Sequence, residues 1–163
     1  MSSTEPTLHF LCGKIASGKS TFSNKLGEAP GSVVVREDHW LARPYPGEQS
    51  TLSDYVRNST RLRGAMTGLL IDLLRTGVTV VLDFPANTPG QRAWMRTLFL
   101  DAKCAHQLHY LDVTDEVCKV RLHRRNESGK HEFAVSDADF DLFTSRFVPP
   151  SNDEGFNVVV HRQ

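Results

Sequence analysis

Short apolar runs alternate with longer amphipathic segments along the chain. Five of the runs are rich in β-branched or aromatic residues and end at turn-forming or charged residues, which is typical of strands. They span residues 8–12, 32–35, 78–82, 106–111 and 156–160. The third run is apolar at nearly every position, as expected of a strand that is buried on both faces of a sheet.

Amphipathic segments of helical spacing lie between these runs. We expect helices that start near Lys19 and that cover residues 53–76, 89–103, 114–126 and 136–147. The 53–76 segment is either one long helix or two helices broken near Gly64 or Gly68. The apolar positions of this segment that we expect to face the core are Tyr55, Leu62, Met66, Leu69, Leu70, Leu73 and Leu74.

Hydroxyl side chains mark three of the helix starts. Thr88 precedes Pro89, and Thr114 and Ser136 each precede a helical segment, so each hydroxyl can accept a hydrogen bond from an unpaired backbone N–H. Five strands that alternate with helices predict an α/β fold. We expect a three-layer sandwich, with a five-stranded parallel sheet, helices on both faces and right-handed crossovers.

The first strand runs directly into a glycine-rich loop. Gly13-Lys14-Ile15-Ala16-Ser17-Gly18-Lys19-Ser20 matches the G-x-x-x-x-G-K-[ST] phosphate loop at every defined position. The glycines allow backbone N–H groups to turn inward around the β- and γ-phosphates of a nucleotide, and the following helix adds its positive N-terminal dipole. The residues expected to contact the nucleotide are Gly13, Lys14, Ala16, Ser17, Gly18, Lys19, Ser20 and Thr21.

Within this loop, two side chains have chemical roles of their own. Lys19 adds a full positive charge at the β/γ oxygens, and the Ser20 hydroxyl can ligate Mg²⁺. Asp83 follows the third strand, where a carboxylate facing the loop can hold Mg²⁺ directly or through water. The sequence therefore predicts a site for ATP and Mg²⁺.

Charged residues also follow the second strand. In open α/β sheets, ligands bind outside the carboxyl ends of the strands. A carboxylate at this position can accept the proton of an attacking hydroxyl, so Asp38 is the candidate general base and Glu37 is the alternative.

Two polar segments flank the predicted site. A proline-rich loop at about residues 40–53 lies on the acceptor side. A basic helix end with Arg121, Arg124 and Arg125 opens into a glycine-containing polar stretch, so residues 121–135 have the character of a lid that closes over phosphates. Alternatively, these positive side chains only complement the negative end of the helix dipole and do not contact phosphates.

Composition narrows the function further. The 163 residues fall within the size range of one domain, and the formal net charge is zero, which counts against nucleic-acid binding.

Cys12, Cys104 and Cys118 lie in or beside apolar runs without C-x-x-C spacing, so we expect buried free thiols in a reducing cytoplasm. The N-terminus lacks an apolar signal core, and no apolar run approaches membrane-spanning length.

Together these features resemble the small P-loop kinases, a group of P-loop NTPase folds. The group includes chloramphenicol phosphotransferase, zeta-toxin-type kinases, gluconate kinases and the kinase domain of polynucleotide kinase. The phosphate loop, the strand-end residues 36–40 and the Arg121-x-x-x-Arg125 pattern carry the resemblance. It implies that Asp38 is the base, that Arg121 flanks the adenine, and that Arg125 clamps the phosphates, with Arg124 able to substitute.

Three functions are compatible with this sequence. The first is ATP-dependent phosphoryl transfer to a hydroxyl of a small molecule, by a monomer or weak homodimer. The second is 5'-hydroxyl polynucleotide kinase activity, against which the neutral charge counts. The third is a nucleotide-hydrolysing switch, although the chain has no Asn-Lys-x-Asp sequence for guanine recognition.

Overall fold

The computed structural model describes residues 5–44, 46–48, 50–129 and 134–163. Within these ranges the centre is a parallel sheet of five strands, each of which overlaps one of the predicted apolar runs. The strands are β1 Thr7–Cys12, β2 Ser32–Arg36, β3 Thr79–Pro85, β4 Ala105–Asp112 and β5 Val158–Arg162. The predicted five-stranded parallel α/β fold is confirmed.

Helices occupy the segments between the strands. In the described ranges they are α1 Lys19–Gly27, α2 Glu37–Ala42, α3 Leu52–Arg75, α4 Pro89–Ala102, α5 Asp115–Ser128 and α6 Asp137–Ser145, followed by a short 3-10 helix at Asn152–Glu154. The hydroxyls of Thr88, Thr114 and Ser136 each accept a backbone N–H bond at the start of their helix. These caps agree with the sequence-based prediction.

The sheet order is β2-β3-β1-β4-β5, which places β1 at the centre. Alternate residues of β1 face opposite sides. Phe10 belongs to a core shared with α3 and α4, whereas Leu11 belongs to a second core shared with α5. Helices therefore cover both faces, and β1 delivers the glycine-rich loop to the middle of the sheet's carboxyl edge.

Helix α6 contacts elements that lie on both faces of the sheet. Phe140 is buried in the core on the α5 side, and the ring of Phe143 meets the ring of Tyr55 on α3 edge-on, with centroids 6.3 Å apart. Phe143 of α6 thus packs against α3, while Phe140 packs on the α5 side.

Some boundaries differ from the sequence-based expectation. Residues 37–42 form α2 and not the start of a loop, because Glu37 and Leu41, one helical turn apart, are both buried. The acceptor-side loop expected at about 40–53 is therefore confined to 43–51, and residues 45 and 49 within it lie outside the described residues.

The long segment is one continuous helix, so the expected alternative of a break at Gly64 or Gly68 is wrong. The capping box of Thr51 and Asp54 fixes its start. Leu69, expected in the core, is 52% exposed, because it lies outside the stripe that faces the sheet. No helix among the described residues has both the length and the apolarity needed to cross a bilayer.

The C-terminal boundaries shift as well. Helix α6 ends at Ser145 and not at 147, and β5 begins two residues later than the apolar run suggested. Of the predicted lid at 121–135, the part up to residue 128 is helix α5, and residues 130–133 lie outside the described residues. The cysteines are free thiols as expected, with Cys12 and Cys118 buried and Cys104 half-buried.

Arg92 on α4 fastens the C-terminal part of the chain to the sheet. Its side chain is fully buried, and its Nε donates to Glu154 Oε2 at 2.8 Å. Nη1 donates to the carbonyl oxygens of Ala86, at 2.9 Å, and Val148, at 2.8 Å. A single guanidinium thus joins α4, the loop after β3 and the segment after α6.

Three histidines form a hydrogen-bonded row across β1, β4 and β5. His9 Nδ1 lies 3.0 Å from His109 Nε2, and His109 Nδ1 lies 3.1 Å from His161 Nε2. Phe22 of α1 packs over the rings of His109 and His161. Burial, followed by the charges of His9 and His161, lowers the pKa of His109 to about 4, and burial also lowers the pKa of His9.

This row predicts sensitivity to acid. The ordinary histidine pKa is 6.5 and that of folded His109 is about 4, so the unfolded chain binds more protons as the pH falls through this window. The stability that depends on neutral His109 is complete above pH 6.5 and is lost toward pH 4, by up to about 3 kcal/mol. Urea unfolding between pH 7.5 and about pH 4 measures this loss.

The His109→Gln variant can still hydrogen-bond its neighbours but does not titrate. We expect lower stability than the wild type at pH 7 and a weaker dependence of stability on pH below 6.5. His39→Gln on the exposed surface of α2 is the control. An unchanged pH dependence in His109→Gln would show that the row does not govern acid unfolding.

Candidate functional site

The glycine-rich loop has the backbone conformation that phosphate binding requires. Ala16 and Gly18 have φ angles of 60° and 103°, and such left-handed residues turn successive N–H groups toward one side. At Gly13 a Cβ would lie 2.5 Å from Ser17 Oγ and 3.3 Å from Leu111 O, so any larger residue would displace Ser17. Ser17 is 1% exposed, and its hydroxyl has no hydrogen-bond partner among the described residues.

Lys19 lies across the inside of this loop. Its Nζ donates to Gly13 O at 2.6 Å and to Lys14 O at 2.8 Å. Burial lowers the pKa of Lys19, and the Asp83 carboxylate opposes that shift. An ammonium held largely by carbonyl dipoles keeps strong attraction for an anion, and phosphate oxygens are suitable anions.

Ser20 and Asp83 come together beside the loop. Ser20 Oγ donates to Asp83 Oδ2 at 3.0 Å. A hydroxyl and a carboxylate are hard oxygen ligands, and Mg²⁺ is usually held by one or two such groups together with water and phosphate oxygens. These residues therefore fit Mg²⁺ at the position predicted from the sequence, and the described residues contain no cluster of three carboxylate, imidazole or thiolate ligands that would hold it alone.

The side chains of Lys14 and Thr21 lie apart from the loop interior. Lys14 Nζ forms an ion pair with Asp115 at 2.6 Å and donates to Val113 O at 3.2 Å, which ties the loop to the start of α5. Thr21 is exposed in the first turn of α1. Lys14 can therefore serve a nucleotide mainly through its backbone.

The three arginines predicted at the end of α5 occupy different environments. Arg121 Nη1 donates to Ser17 O at 3.2 Å, and Nη2 donates to Gln163 Oε1 at 2.5 Å, so this side chain lies over the loop. Arg124 is exposed and lines a shallow groove on the outer face of α5. Arg125 is half-buried, and its Nε has no hydrogen-bond partner among the described residues.

The charge of Arg125 interacts with both Asp38 on α2 and Lys19 in the phosphate loop. Burial lowers the pKa of Arg125, and the carboxylate of Asp38 opposes that shift. Burial is the main cause of the lowered pKa of Lys19, and the charge of Arg125 lowers it slightly further. Arg125 thus lies within electrostatic range of both the loop lysine and the exposed acid of α2.

Glu37 and Asp38 differ sharply although they are neighbours in the chain. Glu37 is 2% exposed, and it accepts hydrogen bonds from Tyr55 Oη at 2.5 Å and Ser59 Oγ at 2.8 Å. Burial raises the pKa of Glu37, and the two hydrogen bonds oppose that shift. Asp38 is exposed at the carboxyl edge. Of the two carboxylates, Asp38 is therefore accessible to solvent and Glu37 is not.

Sequence reasoning missed two groups of site residues. Asn87 Oδ1 accepts the backbone N–H of Gly13 at 2.9 Å, and Tyr55 and Ser59 bind Glu37. Asn87 follows a predicted strand end, which was a usable signal. The apolar periodicity of α3 indicated that Tyr55 faces the core, but it did not indicate that Tyr55 and Ser59 bind Glu37, because that contact depends on how α2 and α3 pack.

A family model described as an AAA domain, AAA_33, matches residues 8–150. This span contains the phosphate loop, the carboxylates Glu37, Asp38 and Asp83, and the whole of α5. The chain belongs to this AAA domain family. No curated protein sequence matches it.

Solved structures show the wider fold of this AAA domain. A candidate kinase from Chloroflexus aurantiacus superposes with a TM-score of 0.78 at 19% identity, covering 98% of this chain and 89% of that chain. APS kinase of Mycobacterium tuberculosis, solved with AMPPNP and APS, gives 0.65 at 19% identity and covers 97% and 88%. A chain of the Pnkp1/Rnl/Hen1 RNA repair complex gives 0.67 at 19% identity and covers 86% and 43%. The AAA domain therefore has the fold of the small P-loop kinases.

We predict that Lys19→Ala weakens the binding of ADP and ATP while the domain stays folded. Hydrogen bonds to a charged group contribute roughly 1.5–3 kcal/mol, so we expect a loss of affinity of about 10- to 100-fold. Competition with a fluorescent nucleotide measures the affinity, and circular dichroism monitors the fold. Lys25→Ala, in the last turn of α1, is the matched control. Equal affinities of the wild type and Lys19→Ala would contradict the assignment.

A second prediction concerns the metal. Asp83→Asn keeps the shape of the side chain but removes its charge, so a higher Mg²⁺ concentration should be needed for half-maximal tightening of ADP binding. Ser20→Ala should act in the same direction. Asp72→Asn, at an exposed position of α3, provides the control. If Asp83→Asn titrates with Mg²⁺ like the wild type, Asp83 only supports the hydroxyl of Ser20.

Proposed function

We propose that this AAA domain is an ATP-dependent phosphotransferase that moves the γ-phosphate of ATP to a hydroxyl group of a small molecule. The observation that carries the proposal is that an exposed carboxylate, Asp38, lies at the same carboxyl edge of the parallel sheet as the phosphate loop, whose backbone carbonyls hold Lys19. Phosphoryl transfer needs cations around the moving group and a carboxylate beyond it to receive the acceptor's proton.

The nucleotide side of the proposed reaction uses the loop and α5. Backbone N–H groups of the loop and Lys19 would bind the β- and γ-phosphates. Arg121, which contacts Ser17 O, would flank the base, and Arg125 would neutralise charge on the transferring group. Ser20 and Asp83 would hold Mg²⁺, which lowers the charge on the phosphate oxygens when it is bound.

The acceptor side uses Asp38. The acceptor oxygen forms the new bond to the γ-phosphorus as the bond from that phosphorus to the bridging oxygen breaks, and ADP leaves with the bridging oxygen. The acceptor's proton passes to Asp38. Glu37 is a poor base for this step, because its two oxygens already accept bonds from Tyr55 and Ser59 and it is almost inaccessible.

The 43–51 segment and α3 would form the acceptor pocket. Asn58 on α3 is fully buried, and its Nδ2 donates to Glu48 O at 3.2 Å. This bond attaches the segment to the same turn of α3 that carries Tyr55 and Ser59. The choice of acceptor would therefore depend on a segment that is separate in sequence from the phosphate-binding residues.

A second candidate function is phosphorylation of a 5'-hydroxyl on a nucleic acid. The likeness to a chain of the Pnkp1/Rnl/Hen1 RNA repair complex favours it, whereas the zero net charge counts against it. Labelled phosphate transfer to 5'-hydroxyl oligonucleotides tests this candidate. A screen of small metabolites for an ATP-dependent mass gain tests the first, and both assays use the same protein.

With the acceptor found by either assay, we predict that Asp38→Asn lowers the rate of transfer by about 10²- to 10⁴-fold, as is typical of the loss of a general base. Binding of ADP and Mg²⁺ should stay close to that of the wild type, because Asp38 lies on the acceptor side. Glu37→Gln is the matched control and should reduce the rate far less.

Two results would revise the proposal differently. A large loss in Glu37→Gln with none in Asp38→Asn would move the base by one residue. Slow ATP hydrolysis without transfer to any acceptor, unaffected by either substitution, would favour a nucleotide-hydrolysing switch.

A further inference from the structure

The pairing of β1 with β3 is irregular next to the phosphate loop. Phe10 lies opposite Leu82, but the next residue, Leu11, lies opposite Pro85. The register therefore skips Asp83 and Phe84, and β3 advances two residues relative to β1. Irregularities of this kind commonly re-aim side chains beside functional sites.

The shift brings Asn87 to the start of the loop. Counting on from Leu11 and Pro85, Gly13 comes opposite Asn87. The Gly13 N–H donates to Asn87 Oδ1 at 2.9 Å. A side-chain oxygen thus takes the place that a strand carbonyl would have if the ladder continued. Gly13 has no side chain, so the described contacts hold it through its backbone alone.

Asn87 is itself fixed on three sides. Its N–H donates to Gln91 Oε1 at 2.9 Å, and its carbonyl accepts the N–H of Val148 at 2.8 Å. The carbonyl of the preceding Ala86 accepts a bond from Arg92 Nη1 at 2.9 Å. These three bonds hold the backbone at Asn87 in place, and with it the point from which the side chain reaches Gly13.

The same glycine also holds Lys19. Gly13 O accepts from Lys19 Nζ at 2.6 Å, while the Gly13 N–H donates to Asn87. Gly13 is therefore bonded at both its backbone groups, on one side to a rigid loop and on the other to the lysine of the phosphate loop. Any displacement of Gly13 would move a ligand of the Lys19 ammonium.

We propose that Asn87 is a positioning residue for nucleotide binding: it fixes Gly13, and through Gly13 it sets where the phosphate loop begins and where Lys19 is held. The inference rests on the proposed nucleotide-binding role of the loop. Without Asn87 Oδ1 the buried Gly13 N–H would lack its acceptor, and the loop would have to shift to regain one. That shift would affect phosphates and spare the base and ribose.

The Asn87→Leu variant tests this proposal, because leucine has a similar volume but no hydrogen-bond acceptor. We expect the affinity for ADP with Mg²⁺ to fall by about 10- to 100-fold, the range expected when a buried donor loses its partner. The affinity for adenosine, followed by ligand-observed NMR, should change little because adenosine carries no phosphate. Amide hydrogen exchange of residues 13–20 in the nucleotide-free protein should become faster.

Asn157→Leu is the matched control. The Asn157 side chain is exposed and donates to the backbone oxygen of His106 at 3.4 Å, so the control makes the same substitution at an asparagine that does not contact the phosphate loop. It should leave ADP affinity and exchange of the loop unchanged. If Asn87→Leu does not fold, as judged by circular dichroism, Asn87→Ser takes its place, because serine is polar but too short to reach Gly13.

Several outcomes would overturn the proposal. One is equal losses of ADP and adenosine affinity, which would indicate a general loss of structure. Another is unchanged ADP affinity together with unchanged exchange of the loop. Failure of the wild type to bind ADP would count against the proposed function instead, and the exchange measurement would still decide whether Asn87 holds the loop.

Discussion

A fully buried guanidinium is the constraint on which the arrangement of the carboxyl edge depends. Arg92 has no exposed surface, so its charge must be matched inside the protein, and Glu154 with the carbonyls of Ala86 and Val148 supplies that match. Leaving one member of such a pair without its partner typically costs roughly 3–5 kcal/mol. The chain after α6 must therefore return to α4, where Val148 and Glu154 meet the guanidinium.

The parts of the fold that local chemistry determines could be predicted from the sequence. The phosphate loop needs glycine at 13 and 18 because of space and backbone conformation, and the sequence has them. Helix starts at Thr88 and Thr114 follow from the hydroxyl that accepts a backbone N–H. The parallel sheet follows from apolar runs separated by helices.

The roles of Glu37 and Asp38 could not be separated from the sequence. Consecutive residues on a helix point about 100° apart, so once residues 37–42 are known to form α2, one carboxylate faces α3 and the other faces outward. Which of them faces inward depends on Tyr55 and Ser59, more than fifteen residues away in the chain. The partners of Arg92 could not be predicted from the sequence either, because they come from three separate segments of the chain.

The irregular register of β3 divides the chain into parts that differ in their tolerance to changes of length. From Leu82 to Thr88 the chain must present Asp83 to Ser20, Asn87 to Gly13 and a helix cap to α4, each at a fixed count of residues. An insertion or deletion there would put at least one of these groups out of place. In the segment between α2 and α3, the described residues Glu48 and Thr51 each have a fixed partner on α3, so a change of length before Glu48 would leave the bond to Asn58 and the helix cap in place.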